Sequence, residues 1–197
     1  VIQLTVAVAV PVEPDGHAVE HGFTGVNAPV AIDVLPDLVA EALKTVDPAS
    51  QHAEMVRDVL AWHREAPDDW QAVRGRVQRK YRHERKWNMN ATVTNGAFVV
   101  AALLYGRGDF RETLRLAFAM GYDADCNAAT CGAVLGVLHG ADALEAHQGW
   151  VLPDRYDNVT RDGLPKTQSM VELVDLTVRL AEKAIVRAGG RRKKARN

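Results

Sequence analysis

The chain has only two cysteines, Cys126 and Cys131, and five residues along a helix set them about 140° apart around its axis. That angle argues against a local disulfide, and two thiols alone make no zinc site. Long hydrophobic runs are also missing. The longest, Gly96 to Tyr105 and Ala128 to Leu138, fall short of the roughly 18–20 residues that span a bilayer. No basic region precedes the opening VIQLTVAVAV, and no small-residue cleavage site follows it before PVEPDG, which speaks against a secretory signal. A soluble, cytoplasmic chain with no membrane partner is the expectation. There is no P-loop, no dinucleotide fingerprint, and no Ser-His-Asp or Cys-His arrangement that spacing supports.

Aromatic residues are absent from the C-terminal tail, where Arg187, Arg191, Arg192, Lys193, Lys194 and Arg196 follow one another closely around Gly189-Gly190. A nucleic-acid footprint interleaves such charges with aromatics on a folded face. A solvated, disordered tail over residues 187–197 and no nucleic-acid partner are therefore expected. No internal repeat is visible either.

What is present reads as helix from about Leu35 onward. Met55, Val59 and Trp62 keep one face, and Trp70, Val73, Val77 and Tyr81 keep another, with EAPDD between them. Leu173, Leu176, Leu180 and Ala184 do the same near the end. Helix starts are signposted by Asp47-Pro48, and by Asp68 with Gln71, Asp109 with Glu112, Asp142 with Glu145, and Ser169 with Glu172. GRGD, at 106–109, is a tight turn between two helices. Residues 150–166 read as a loop without periodicity, and 1–35 as an irregular segment in which VIQLTVAVAV could be a strand. His17 and His21, flanked by Gly16 and Gly22 with no third ligand, do not read as a zinc site, and His52, His63, His139 and His147 read as solvated. The fold class expected is all-α.

The chemistry concentrates in GYDADCNAATCGAVLGVLHG, residues 121–140. Asp123 and Asp125 stand just before a helix and can turn their oxygens into one cleft, as a hard divalent cation requires. Two carboxylates are only part of such a site. The competing reading is that they cap free N–H groups and face the positive end of the helix dipole. Behind them Gly132, Gly136 and Gly140 recur every four residues. Glycine costs a helix about 0.5–1 kcal/mol each, so close approach of neighbouring helices is expected there, around a deeply placed helix.

GYDADCNAATCGAVLGVLHG resembles the C-terminal metal-binding signature of the ADP-ribosylglycohydrolase family. TNGAFVVAALLYGRGDFRETLRLA resembles the family's helix, Tyr-Gly-x-Gly-Asp-Phe turn and next helix, and RDGLPKTQSMVELVDLTVRLAEKAI its terminal helix. The resemblance runs from about Pro36 to Ile185 and implies a compact, multi-helix orthogonal bundle over 36–186. It also implies hydrolysis of ADP-ribosyl N- or O-glycosidic bonds on proteins or related small compounds, with two Mg²⁺ or Mn²⁺ ions. Carried over by position, the metal ligands are Asp123, Asp125 and Cys126. Sulfur at Cys126 suits a hard cation poorly, and Ala124 stands where threonine is usual. Asn95 falls near where relatives place polar cleft residues, although an asparagine there can also cap its helix. Trp87 and Tyr122 are candidates to stack on adenine, or simply core.

The family's N-terminal Gly-Asp-x-Gly helix and Thr/Ser-Asp-Asp cluster are not found in residues 1–60, and Asp68-Asp69 reads as capping. The expectation is a family site incomplete at its N-terminal end, binding metal weakly and catalysing poorly or not at all by itself: either a complementing chain supplies the absent ligands, or this chain is a truncated or degraded relative. The alternative is a non-catalytic relative, since a lens crystallin with a structural role shares this fold.

Overall fold

The computed structural model describes residues 34–81, 91–149, 151, 153–160 and 162–189. The candidate strand VIQLTVAVAV, the His17/His21 pair, Trp87 and most of the basic tail lie outside the described residues. The chain divides into two units, Val1–Gln148 and Gly149–Asn197. Eight helices are found among the described residues, so the all-α expectation holds.

In the first unit the helices are α1 (Val34–Leu43), α2 (Gln51–Glu65), α3 (Trp70–Tyr81), α4 (Thr92–Gly106), α5 (Phe110–Met120), α6 (Ala124–His139) and α7 (Ala141–Gln148). The apolar faces read at Met55 and Val59 and at Val73, Val77 and Tyr81 are the buried faces of α2 and α3. TNGAFVVAALLYG is apolar on every side, which suits only a helix surrounded by others. Every residue of α4 from Ala97 to Gly106 is buried, and α4 packs against α1, α2, α3, α5 and α6. Its C-terminal end also ties down the EAPDD turn. The Tyr105 hydroxyl donates to the Ala66 carbonyl at 2.5 Å, and Arg107 donates to the Pro67 carbonyl at 3.1 Å and to Asp68 at 2.5 Å.

Several helix starts differ from those read in the sequence. Asp109 and Ser169 cap α5 and α8 as expected. At α2, however, Ser50 is the cap, accepting from the Ala53 N–H at 3.1 Å, while Asp47 closes a turn by accepting from Ala49 N–H at 3.0 Å. At α3 the cap is Asp69, which accepts from Ala72 N–H at 2.9 Å. Asp142 lies inside α7 instead of capping it. At α2 and α3 two short polar residues stand within reach of one cap, and the later of the two takes it; α7 simply begins one residue before Asp142.

The close approach expected along α6 occurs elsewhere. A Cβ at Gly132 would meet the Phe110 ring at an ordinary 3.9 Å, and one at Gly136 would meet nothing within 4 Å. A Cβ at Gly106, by contrast, would lie 2.7 Å from the Thr113 Cα. α6 buries only one face, through Asn127, Ala128, Cys131 and Leu135. It is not the deeply placed helix the glycines suggested.

The second unit holds α8 (Met170–Arg187) and a two-residue antiparallel ladder, β1 (Tyr156–Asp157) with β2 (Thr167–Gln168), inside the stretch read as a plain loop. Ser169 joins the two elements, accepting from Glu172 N–H at 3.1 Å and donating to Asp154 at 2.8 Å. Among the described residues no helix is long and apolar enough to cross a membrane.

Two of the histidines read as solvated, His139 and His63, make specific contacts, while the side chain of His147 lies outside the described ones. His139 Nε2 sits 2.8 Å from the Gly108 carbonyl. His63 packs edge-on against the Tyr105 ring with centroids 4.8 Å apart, and its Nε2 is buried without a hydrogen-bond partner. Burial first, then the charges of Arg107 and Arg64, hold its pKa below the ordinary imidazole value, with Asp68 opposing. The unfolded chain therefore takes up a proton at His63 at a pH where the folded chain does not. Its stability is undiminished above about pH 6.5 and falls as pH drops below that value. The wild-type melting temperature should fall more steeply between about pH 7.5 and about pH 5.5 than that of His63→Gln; parallel curves would clear His63 of the effect.

Candidate metal centre

The acidic motif sits at the junction of α5 and α6. α5 ends at Gly121, whose φ of 79° closes the helix with its N–H donating to the Phe118 carbonyl at 3.1 Å. Tyr122 follows at φ 62°, a left-handed conformation that costs a bulky L-residue roughly 1–2 kcal/mol. Its ring packs against buried Phe98, centroids 5.3 Å apart at 60°, so tertiary packing offsets the backbone cost. These two turned residues reverse the chain and set Asp123 at the N-cap of α6.

An aspartate at that position would ordinarily accept from an N–H of the first turn. Asp109 does so at the start of α5, at 2.7 Å from the Glu112 N–H. Asp123 makes no side-chain capping bond. Its carboxylate instead groups with Asp125 and Cys126, and ligand atoms of all three lie within 4.8 Å of one another. Asp125 and Cys126 are exposed and Asp123 is half-buried. The helix dipole favours negative charge here, which lets two carboxylates stand this close.

Cys126 contributes differently. Its thiol hydrogen-bonds to the Asp123 carboxylate, and that bond, the Asp123 charge, slight desolvation and Asp125 together push its pKa up. A thiol must lose its proton to serve as a metal ligand, and the charge of a bound cation would oppose the two carboxylates that hold the proton on. Cys131, one and a half turns on, is buried with its pKa pushed up to about 12 by desolvation. Both cysteines are free.

Asn95, on the fourth residue of α4, is not the cap of its helix. Its side-chain carbonyl accepts from the Asp123 N–H at 3.2 Å and from Asn127 Nδ2 at 3.0 Å. On the opposite flank, Arg74 of α3 donates through Nε to the Met120 carbonyl at 2.9 Å, a cation at the negative end of α5. Asn127 lies inside the quoted signature without being singled out as a contact, and Arg74 does not stand out in the sequence. Arg74 lies 46 residues from its acceptor, and no local spacing signals a contact of that range. The pair Asp68-Asp69 lies apart from this centre, spent on Arg107 and on capping α3.

A family model for ADP-ribosylglycohydrolases matches residues 5–186. The chain belongs to the ADP-ribosylglycohydrolase family. Comparison with curated proteins and with solved structures gives no significant match. The ADP-ribosylglycohydrolase match takes in α1 to α8 apart from the last residue of α8, together with the whole acidic junction. Family membership points to hydrolase activity on ADP-ribosyl compounds.

Proposed function

We propose that this chain is a divalent-metal-dependent hydrolase of ADP-ribosyl N- or O-glycosidic bonds, with Asp123 and Asp125 as its metal carboxylates. The observation that carries the reading is an N-cap aspartate that forgoes its capping bond and stands beside a second carboxylate at a helix N-terminus. Two clustered carboxylates are what Mg²⁺ or Mn²⁺ takes from a protein, with other oxygens completing a shell of about six. The donor set therefore fits at its oxygens. It does not fit at the Cys126 sulfur, which we assign to packing beside the ion.

When bound, Mg²⁺ or Mn²⁺, as two ions in a complete site, supplies Lewis acidity toward a water and toward the oxygens of the diphosphoribose. The chain's own part is to hold two carboxylates rigidly at the mouth of α6. Tyr122, only partly buried beside Asp123, is the side chain we assign to contact with the substrate. The substrate in this reading is an ADP-ribosylated protein or a small ADP-ribosyl compound. Two protein carboxylates leave most of the shell to water, to substrate, or to acidic residues from a complementing chain. Modest metal affinity follows.

The test is thermal melting with Mg²⁺ or Mn²⁺ at millimolar concentration. At ten times Kd, a ligand that binds only the folded chain adds about 1.4 kcal/mol, or roughly 3–5 °C for a domain this size. That rise should vanish in Asp125→Asn. Release of ADP-ribose from arginine- or serine-modified peptides should depend on the same residue. No metal shift and no release would favour the structural, non-catalytic relative instead.

A further inference from the structure

The side-chain oxygen of Asn95 takes two hydrogen bonds from one turn of another helix: the backbone N–H of Asp123, at the N-cap of α6, and Nδ2 of Asn127, four residues on. Asn127 is 4 % exposed, and its own backbone N–H donates to the Asp123 carbonyl at 2.9 Å. The three residues thus close a ring of hydrogen bonds between α4 and the first turn of α6. Asp125 and Cys126 lie within that turn, so whatever fixes residues 123 and 127 fixes both carboxylates together. The need for such a brace is visible in the backbone. Gly121 and Tyr122 just upstream are both at positive φ, and Asp123 itself, at φ −81° and ψ 61°, is not yet helical. Nothing in the local sequence would hold that reversal. α4, by contrast, is buried over most of its length and is a rigid place to anchor from.

We infer that Asn95 is a positioning residue for the Asp123–Asp125 pair, acting through the Asp123 backbone and Asn127. This inference rests on the metal reading above. It replaces the substrate contact expected for Asn95 with a role one layer behind the ligands. Partners that orient metal ligands in this way typically change affinity by about 10–100-fold when removed.

The experiment measures the Kd of Mn²⁺ for the full chain, by titrating the signal of free Mn²⁺ in electron paramagnetic resonance, with metal-free melting curves alongside. Asn95→Ala removes the shared acceptor and should raise Kd about tenfold or more. Asn95→Asp keeps an oxygen where both donors need it and should bind Mn²⁺ at least as tightly as the wild type. Asn127→Ala removes one of the two donors and should fall between wild type and Asn95→Ala. It also keeps the proposal open to refutation if Asn95→Ala does not fold. A role in folding alone would lower the metal-free melting temperature of these variants and leave Kd unmoved, and that result would overturn the inference while leaving the metal reading intact. A wild-type chain with no Mn²⁺ binding that Asp125→Asn abolishes would overturn both.

Discussion

Gly106→Ala is expected to lower stability by about 2–3 kcal/mol, while Gly136→Ala raises it by about 0.5–1 kcal/mol. Both glycines lie in helices, and propensity alone predicts the same stabilising sign for both. Space makes them differ. The Cβ added at Gly106 would come within 2.7 Å of the Thr113 Cα, whereas the one at Gly136 meets nothing within 4 Å. Because the obstruction is backbone, no rotamer change relieves it. α4 and α5 must part, and that disturbs a packing face fully buried on both sides. Truncating Thr113 should rescue only the share due to its side chain. Thr113 also has a buried hydroxyl without a hydrogen-bond partner, so Thr113→Val alone is expected to be neutral or stabilising. Urea unfolding of the three single variants checks all the signs. A stabilised Gly106→Ala would mean that α4 and α5 can part at this crossing without loss of packing.

The same contrast shows what could be read from residues alone. Periodicity names a face, and the faces at Met55, Val59, Val73 and Val77 are the buried ones. Glycine spacing names no neighbour. The repeat at Gly132, Gly136 and Gly140 looked like a packing groove, yet the glycine that packing requires is Gly106, which read as part of a turn. The left-handed residues of that turn are Arg107, at φ 51°, and Gly108, at φ 80°. Cap chemistry was legible at Asp109 and Ser169, and misplaced at Asp47 against Ser50 and Asp68 against Asp69, where a second candidate lay within reach, and at Asp142, where the helix begins one residue earlier. The carboxylate pair and its helix start were legible because their chemistry is local. Tyr122 at positive φ, the oxygen of Asn95 against the Asp123 N–H, and Arg74 on the Met120 carbonyl were not, since each depends on contacts across 24 or more residues. The candidate site is thus local in its carboxylates and long-range in what aims them.

Phe98→Ala should be among the most damaging single substitutions in the first unit, at about 3–5 kcal/mol and so a fall in melting temperature on the order of 10 °C. Phe98 is the bulkiest of the fully buried side chains, at 0 % exposure on a helix packed from several sides. Removing its ring leaves a cavity that the surrounding helices can close only in part. The same truncation at Phe118, 56 % exposed on α5, should stay within about 0.5 kcal/mol. The Phe98 ring also supports Tyr122, whose left-handed backbone has no local reason to persist. Losing that contact should let the 121–123 turn relax toward ordinary φ and carry Asp123 away from Asp125. A double-mutant cycle of Phe98→Leu and Tyr122→Ala isolates the ring pair, expected to be worth about 0.5–1.5 kcal/mol beyond burial. If Phe98→Leu folds, costs little stability and weakens Mn²⁺ binding, the core and the carboxylates are mechanically linked through Tyr122. If it binds Mn²⁺ as the wild type does, the turn holds by its hydrogen bonds alone, through Asn95 on one side and Arg74 on the other.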